Sequence, residues 1–121
     1  MEHRPVTVED LTQAPLLSSL DDDALAGLAE RMERRELESG EAVLREGEEG
    51  DRFYVVLSGL LAARQAAAGQ QAVLTPGEYF GEIALVAHVH RTASVSALTA
   101  ATVASCDAQT FDELLAPLFW T

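Results

Sequence analysis

The feature that most constrains this chain is a series of turn signals beginning near residue 39. Ser39-Gly40, Gly47 to Asp51, Ser58-Gly59, Ala68-Gly69-Gln70 and Pro76-Gly77 punctuate the sequence at intervals of roughly eight to ten residues. Short antiparallel strands joined by tight turns produce that spacing. Between the turns lie β-favouring runs at Phe53 to Leu57, Ala72 to Thr75, Thr92 to Ala97 and Ala101 to Ser105. Many short strands with Gly-rich turns predict a sandwich, jelly roll or barrel. At 121 residues the chain holds one core and not two.

Helices are expected at both ends of this β region. Leu25, Leu28, Ala29 and Met32 fall on one helical face. Asp21, Asp22 and Asp23 can cap the start of that helix, and Arg31, Arg34 and Arg35 are read as cations near its end. Leu16, Leu17 and Leu20 suggest a shorter turn after Pro15. Phe111, Leu114, Leu115 and Leu118 mark a terminal helix over 109–118, interrupted by Pro117. Ala66-Ala67-Ala68-Gly69 reads as a flexible hairpin tip. The division is a helical segment over 1–34, a β-roll over 35–107 and the start of a helix over 108–121.

Charge removes several function classes. Twenty acids face eight cations, all Arg, for a formal charge of −12. Residues 1–51 hold 15 acids and 5 Arg, a net of −10, whereas residues 52–121 hold 5 acids and 3 Arg, a net of −2. An acidic chain without a basic run is a poor nucleic-acid partner. The nearly neutral second segment repels an anion less than the first does. One cysteine, Cys106, allows no internal disulfide. Neither a signal peptide nor a membrane-spanning run is evident, so a reducing, cytoplasmic setting is expected.

Chemistry concentrates between Phe80 and Val95. Gly77 and Gly81 bracket Tyr79-Phe80 and let backbone approach a ligand closely. Glu82 to Leu85 suits a single helical turn whose first amides are free. Arg91, the only cation after Arg64, can meet a phosphate bidentately. Glu82 can accept hydrogen bonds from sugar hydroxyls. A phosphate donor and a sugar acceptor on one short segment suggest a nucleotide; the plain alternative is an exposed Glu82–Arg91 ion pair.

The segment Phe80-Gly81-Glu82-Ile83-Ala84-Leu85, a short loop, then Arg91-Thr92-Ala93-Ser94-Val95 resembles the phosphate-binding cassette of the cyclic nucleotide-binding domain family. Gly40-Glu41, Glu46-Gly47, Gly50-Asp51, Phe53-Tyr54 and Ser58-Gly59 resemble the family framework upstream. The resemblance covers roughly 15–117. It implies a mainly β fold with flanking helices, a jelly-roll-like β-roll (double-stranded β-helix). It also implies a regulatory sensor that binds cyclic AMP or cyclic GMP, needs no cofactor and signals to an effector.

Site roles follow from the same resemblance. Glu82 would take the ribose 2′-hydroxyl and Arg91 the exocyclic phosphate oxygens. Backbone at Gly81, Ile83 and Ala84 would complete the cradle, with Leu85 and Ala93 beside it. Thr92 would touch phosphate or a syn guanine, and Val73 and Leu74 would pack on the purine. Where many family members have Pro before the Arg, this chain has His90. The resemblance implies a long C-terminal helix that caps the base; none is read after Leu118, so a truncated piece or a lid from elsewhere is expected. Trp120 would be a hydrophobic anchor or a stacking partner.

Three rival readings stand beside this one. A degenerate domain could keep the fold and serve in docking or dimerisation, and a homodimer is compatible with either role. His88-Val89-His90 suggests a cupin-like metal site, but no suitable acid or further His accompanies it. No Walker loop, nucleophile elbow or paired cassette carboxylates point to catalysis.

Overall fold

The computed structural model describes residues 5–66, 69, 71–87 and 89–119. Helix α1, Val8–Thr12, opens with a reciprocal cap between Thr7 and Asp10. A 3₁₀ turn at Pro15–Ser19 follows, and then α2, Asp22–Arg31, whose first amides are capped by Asp21. The expected turn after Pro15 and the expected long helix are both present.

Eight strands follow: β1 Glu33–Leu37, β2 Ala42–Leu44, β3 Arg52–Ser58, β4 Leu61–Arg64, β5 Gln71–Leu74, β6 Tyr79–Phe80, β7 Ser94–Ala97 and β8 Ala101–Asp107. They form two antiparallel four-stranded sheets, ordered β1-β8-β3-β6 and β2-β7-β4-β5. Between β6 and β7 lies α3, Glu82–Ala87. The mainly β fold with flanking helices is thus the observed architecture.

Several local expectations change. Arg34 and Arg35, read as helix-end cations, lie on β1, an edge strand: Glu33, Arg35 and Glu36 face water, whereas Arg34 is half-buried against Asp10. Thr92 and Ala93 precede β7, which begins at Ser94. The terminal run is helical but irregular: α4 at Ala108–Thr110, a π turn at Phe111–Leu115, and 3₁₀ at Ala116–Leu118, where Pro117 lacks the amide an α-helix needs. The tip residues Ala67 and Ala68 lie outside the described residues.

The expectation of one core is also corrected: the buried residues form two clusters, and β3 separates them. Phe53, Val55 and Leu57 face the helices, whereas Tyr54 and Val56 face the interior of the roll. Strand periodicity sends alternate side chains to opposite sides, so a strand buried on both reads as one apolar run. On the helix side, Leu11, Leu17, Leu28, Phe111 and Leu115 are at most 1% exposed. Cys106 is fully buried there, and burial pushes its thiol up to about 12. Phe53, Tyr79, Phe111 and Phe119 form one aromatic cluster with ring centroids 5.3–6.4 Å apart. That cluster ties the terminal helical run to β3 and β6, the strand that leads into α3.

Candidate functional site

The site begins where β6 ends. Gly81 has φ +92°, a conformation that L side chains rarely adopt. A Cβ there would also stand 2.9 Å from the Arg52 carbonyl oxygen and 3.1 Å from Arg91 Nη1. The left-handed residue turns the chain sharply from β6 into α3. Glu82 then falls in the first turn of α3, where backbone amides lack partners within the helix.

Arg91 reaches the same place from the other side. It is 6% exposed. Its backbone N–H donates to the Glu48 carbonyl at 2.7 Å, and its own carbonyl accepts from the Gly47 N–H at 2.9 Å. Its guanidinium donates from Nη1 to the Gly81 carbonyl at 2.9 Å and from Nη2 to the Arg52 carbonyl at 3.0 Å. Among the described residues no carboxylate oxygen comes within 4.0 Å of it. The exposed Glu82–Arg91 ion pair is therefore not the arrangement adopted.

Burial shapes both charges. It pulls the Arg91 pKa down, against the fields of Tyr54, Asp51 and Glu82 that favour the cation. It pushes the Glu82 pKa up, against the backbone N–H and Arg91 that favour the carboxylate. Two oppositely charged groups are held partly desolvated in one depression without neutralising each other by direct contact.

That depression has a volume of about 150 Å³. Glu82, Arg91 and Thr92 are among its polar lining, and Leu44, Ala63, Leu74 and Val95 among its apolar lining. Of the residues singled out from sequence, Gly81, Glu82, Ile83, Ala84, Arg91, Thr92, Ala93 and Leu74 line it. Val73 and Leu85 do not. Val73 is 48% exposed on the opposite side of β5 from Leu74, as strand alternation requires. Leu85 packs into the helix-side core and borders a second hollow with Gly50, Ala108 and Asp112.

Leu44 and Ala63 were missed, and Val95, matched as the last cassette residue, was given no contact with the ligand. They meet through strand pairing, since Val95 is in register with both Leu44 and Ala63. The only sequence signal of Leu44 and Ala63 is apolar character on short strands, which becomes informative once strand order is known. Among the described residues no group of three or more His, Cys, Asp or Glu could hold a metal. His90 is exposed. His88 and Trp120, which carried part of the metal and stacking expectations, lie outside the described residues. No described helix is long and apolar enough to cross a membrane.

Comparison with known proteins places this geometry. Residues 34–117 match the model of the cyclic nucleotide-binding domain. A cAMP-dependent protein kinase regulatory subunit from Yarrowia lipolytica is 38% identical over 109 residues, 89% of this chain and 29% of that protein. Among solved structures, cAMP-bound PfPKA-R superposes with a TM-score of 0.87 at 28% identity, covering 92% of this chain and 39% of the other. A guanosine-bound regulatory subunit of a cAMP-independent protein kinase A from Trypanosoma cruzi gives 0.84 at 26% identity, covering 93% and 42%. The chain spans less than a third of the length of the Yarrowia relative. With the β-roll, the cassette and its buried arginine all in place, this chain belongs to the cyclic nucleotide-binding domain family.

Proposed function

We propose that the domain is a regulatory sensor whose cavity binds cyclic AMP or cyclic GMP. The observation that carries the proposal is Arg91, a buried guanidinium at the cavity wall with backbone acceptors and, among the described residues, no carboxylate partner. A buried charge left without a counter-ion favours an incoming anion. One hydrogen on each Nη is used by the carbonyls, leaving the others and Nε–H as donors to two exocyclic phosphate oxygens. Glu82, also among the polar lining, accepts from the ribose 2′-hydroxyl. Amides at the start of α3 complete the phosphate cradle, and Leu74, Ala63 and Val95 receive the purine.

The relatives are regulatory subunits of cAMP-dependent kinases, and the neighbours include a cAMP-bound one. By that analogy the effector is a kinase catalytic subunit acting in the cytoplasm, and this chain needs no catalytic group of its own. The working units are the helical layer that ends at Arg31, the roll from Glu33 to Asp107 with its cassette at 80–95, and the terminal run that begins at Ala108. Occupancy would draw the Gly81–Leu85 turn inward and shift a population of conformers. Leu85 has room to repack, because it borders a hollow of about 320 Å³ shared with Ala108 and Asp112 of the terminal run. Docking by a degenerate pocket is the weaker reading, since Glu82 and Arg91 border one formed cavity.

The test is calorimetric titration and thermal unfolding with cyclic AMP and cyclic GMP. A ligand at 100 times its dissociation constant adds about 2.7 kcal/mol to stability. No shift with either nucleotide at millimolar concentration would overturn the sensor role.

A further inference from the structure

Arg91 is gripped along its whole length by a single strap of chain. Gly47 and Glu48 hold its backbone from both sides, at 2.9 and 2.7 Å. The Arg52 carbonyl takes one guanidinium hydrogen at 3.0 Å. Between these contacts lies Gly50. A Cβ placed on it would stand 2.7 Å from both Cζ and Nε of Arg91, and 2.6 Å from Cβ of Ala84 on α3. Approaches that close do not persist, so one of the neighbours must move.

From this geometry we infer that Gly50 is a positioning residue for phosphate recognition: its missing side chain is the space in which the Arg91 guanidinium lies. The requirement is steric and not conformational, because the backbone of Gly50 is outside the left-handed region. An alanine could therefore adopt the local backbone without strain. It would meet the Arg91 side chain, which can swing aside while the fold persists, and Ala84 Cβ, which moves only with α3. What would be lost is the alignment of Arg91 with the Gly81 and Arg52 carbonyls, and so its aim into the cavity. Gly50 also borders the hollow behind the cassette that Leu85, Ala108 and Asp112 share. The residue thus touches the phosphate arginine on one side and the route to the terminal run on the other.

The inference rests on the assignment of Arg91 to the phosphate. The experiment compares wild type, Gly50→Ala, Arg91→Ala and the double variant, each titrated with cyclic AMP and with adenosine, which lacks the phosphate, alongside thermal unfolding. Gly50→Ala is expected to weaken cyclic AMP binding roughly 10- to 100-fold, the scale of a misplaced binding group. It is expected to leave adenosine affinity unchanged, and the double variant should bind no more weakly than Arg91→Ala alone. Should Gly50→Ala fail to fold, Gly50→Ala/Ala84→Gly is compared with Ala84→Gly; this removes the clash with α3 and keeps the clash with Arg91, so the same loss is expected. Unchanged cyclic AMP affinity in Gly50→Ala, or a loss that adds in full to that of Arg91→Ala, overturns the inference alone. Failure of the wild type to bind any cyclic nucleotide overturns the sensor reading and this inference together.

Discussion

The acid-rich helical layer and the cassette treat their arginines in opposite ways. Around the first layer, Arg31 pairs with Glu113 at 2.7 Å, Arg34 with Asp10 at 3.1 Å and Arg35 with Glu41 at 2.7 Å. The Arg31 and Arg35 pairs lie at the surface, where such pairs contribute little, and the Arg34–Asp10 pair is half-buried. In the cassette, Arg91 is buried against two carbonyls and has no such partner among the described residues. A carbonyl orients a guanidinium without cancelling its charge. Among the described residues Arg64 also lacks a carboxylate, but it is exposed and bonds the Gln71 amide, so the difference teaches that Arg91 is set apart by being buried and electrostatically incomplete where an anion is to arrive.

The sharpest way to break that contrast is Arg91→Ala. It should weaken cyclic nucleotide binding by about 2–5 kcal/mol, because a buried phosphate then lacks its charged partner. Equal affinities in calorimetry would return Arg91 to a structural role. Glu82→Gln should come next, costing about 2 kcal/mol of binding through the lost charged acceptor.

The same Glu82 variant sharpens the comparison through pH. A carboxylate whose folded pKa is raised destabilises the ligand-free fold as pH climbs from 4.5 through the folded value. Free Glu82→Gln should therefore melt slightly higher than wild type at pH 7, with the difference vanishing below pH 4.5. A variant that melts lower at neutral pH would refute this.

Thr92→Ala should have a smaller effect, about 1 kcal/mol for cyclic GMP and less for cyclic AMP, as expected for one neutral hydrogen bond to the base. Equal losses would confine Thr92 to the phosphate. Smallest of all, Arg31→Ala should leave nucleotide affinity unchanged and lower Tm by at most about 3 °C. Arg31 and Gln109 hold the Glu113 pKa below its ordinary value, so the pair's contribution is present above pH 4.5 and fades as pH falls. A wild-type and variant Tm difference that persists at pH 3 would contradict it.

Much of this molecule was legible from its residues, in a pattern set by how each element is held. α2 carries its cap and apolar stripe locally, and β3 and β8 carry long β-favouring runs. β1 was misread because Glu33-Arg34-Arg35-Glu36 looks like a charged helix end; its pairing with β8 decides its state. β2 and β6, with three and two residues, are too short to leave a period and exist through their partners. At the site, the chemistry-bearing side chains Glu82 and Arg91 were visible, but what positions them was not. Carbonyl acceptors at Gly81 and Arg52 leave no signature, and Arg52 is 39 residues from Arg91. Gly50 looked like punctuation, and only its distance from the guanidinium gives it a role.

The sealed thiol of Cys106 has a practical consequence. With no exposure and a pKa of about 12, it cannot react with an alkylating probe in the native state. The rate at which such a probe marks this protein therefore counts excursions in which β8 leaves its neighbours. A molecule that fastens the roll shut would slow that clock, so occupancy could be read by mass spectrometry from a single native atom, without any engineered reporter.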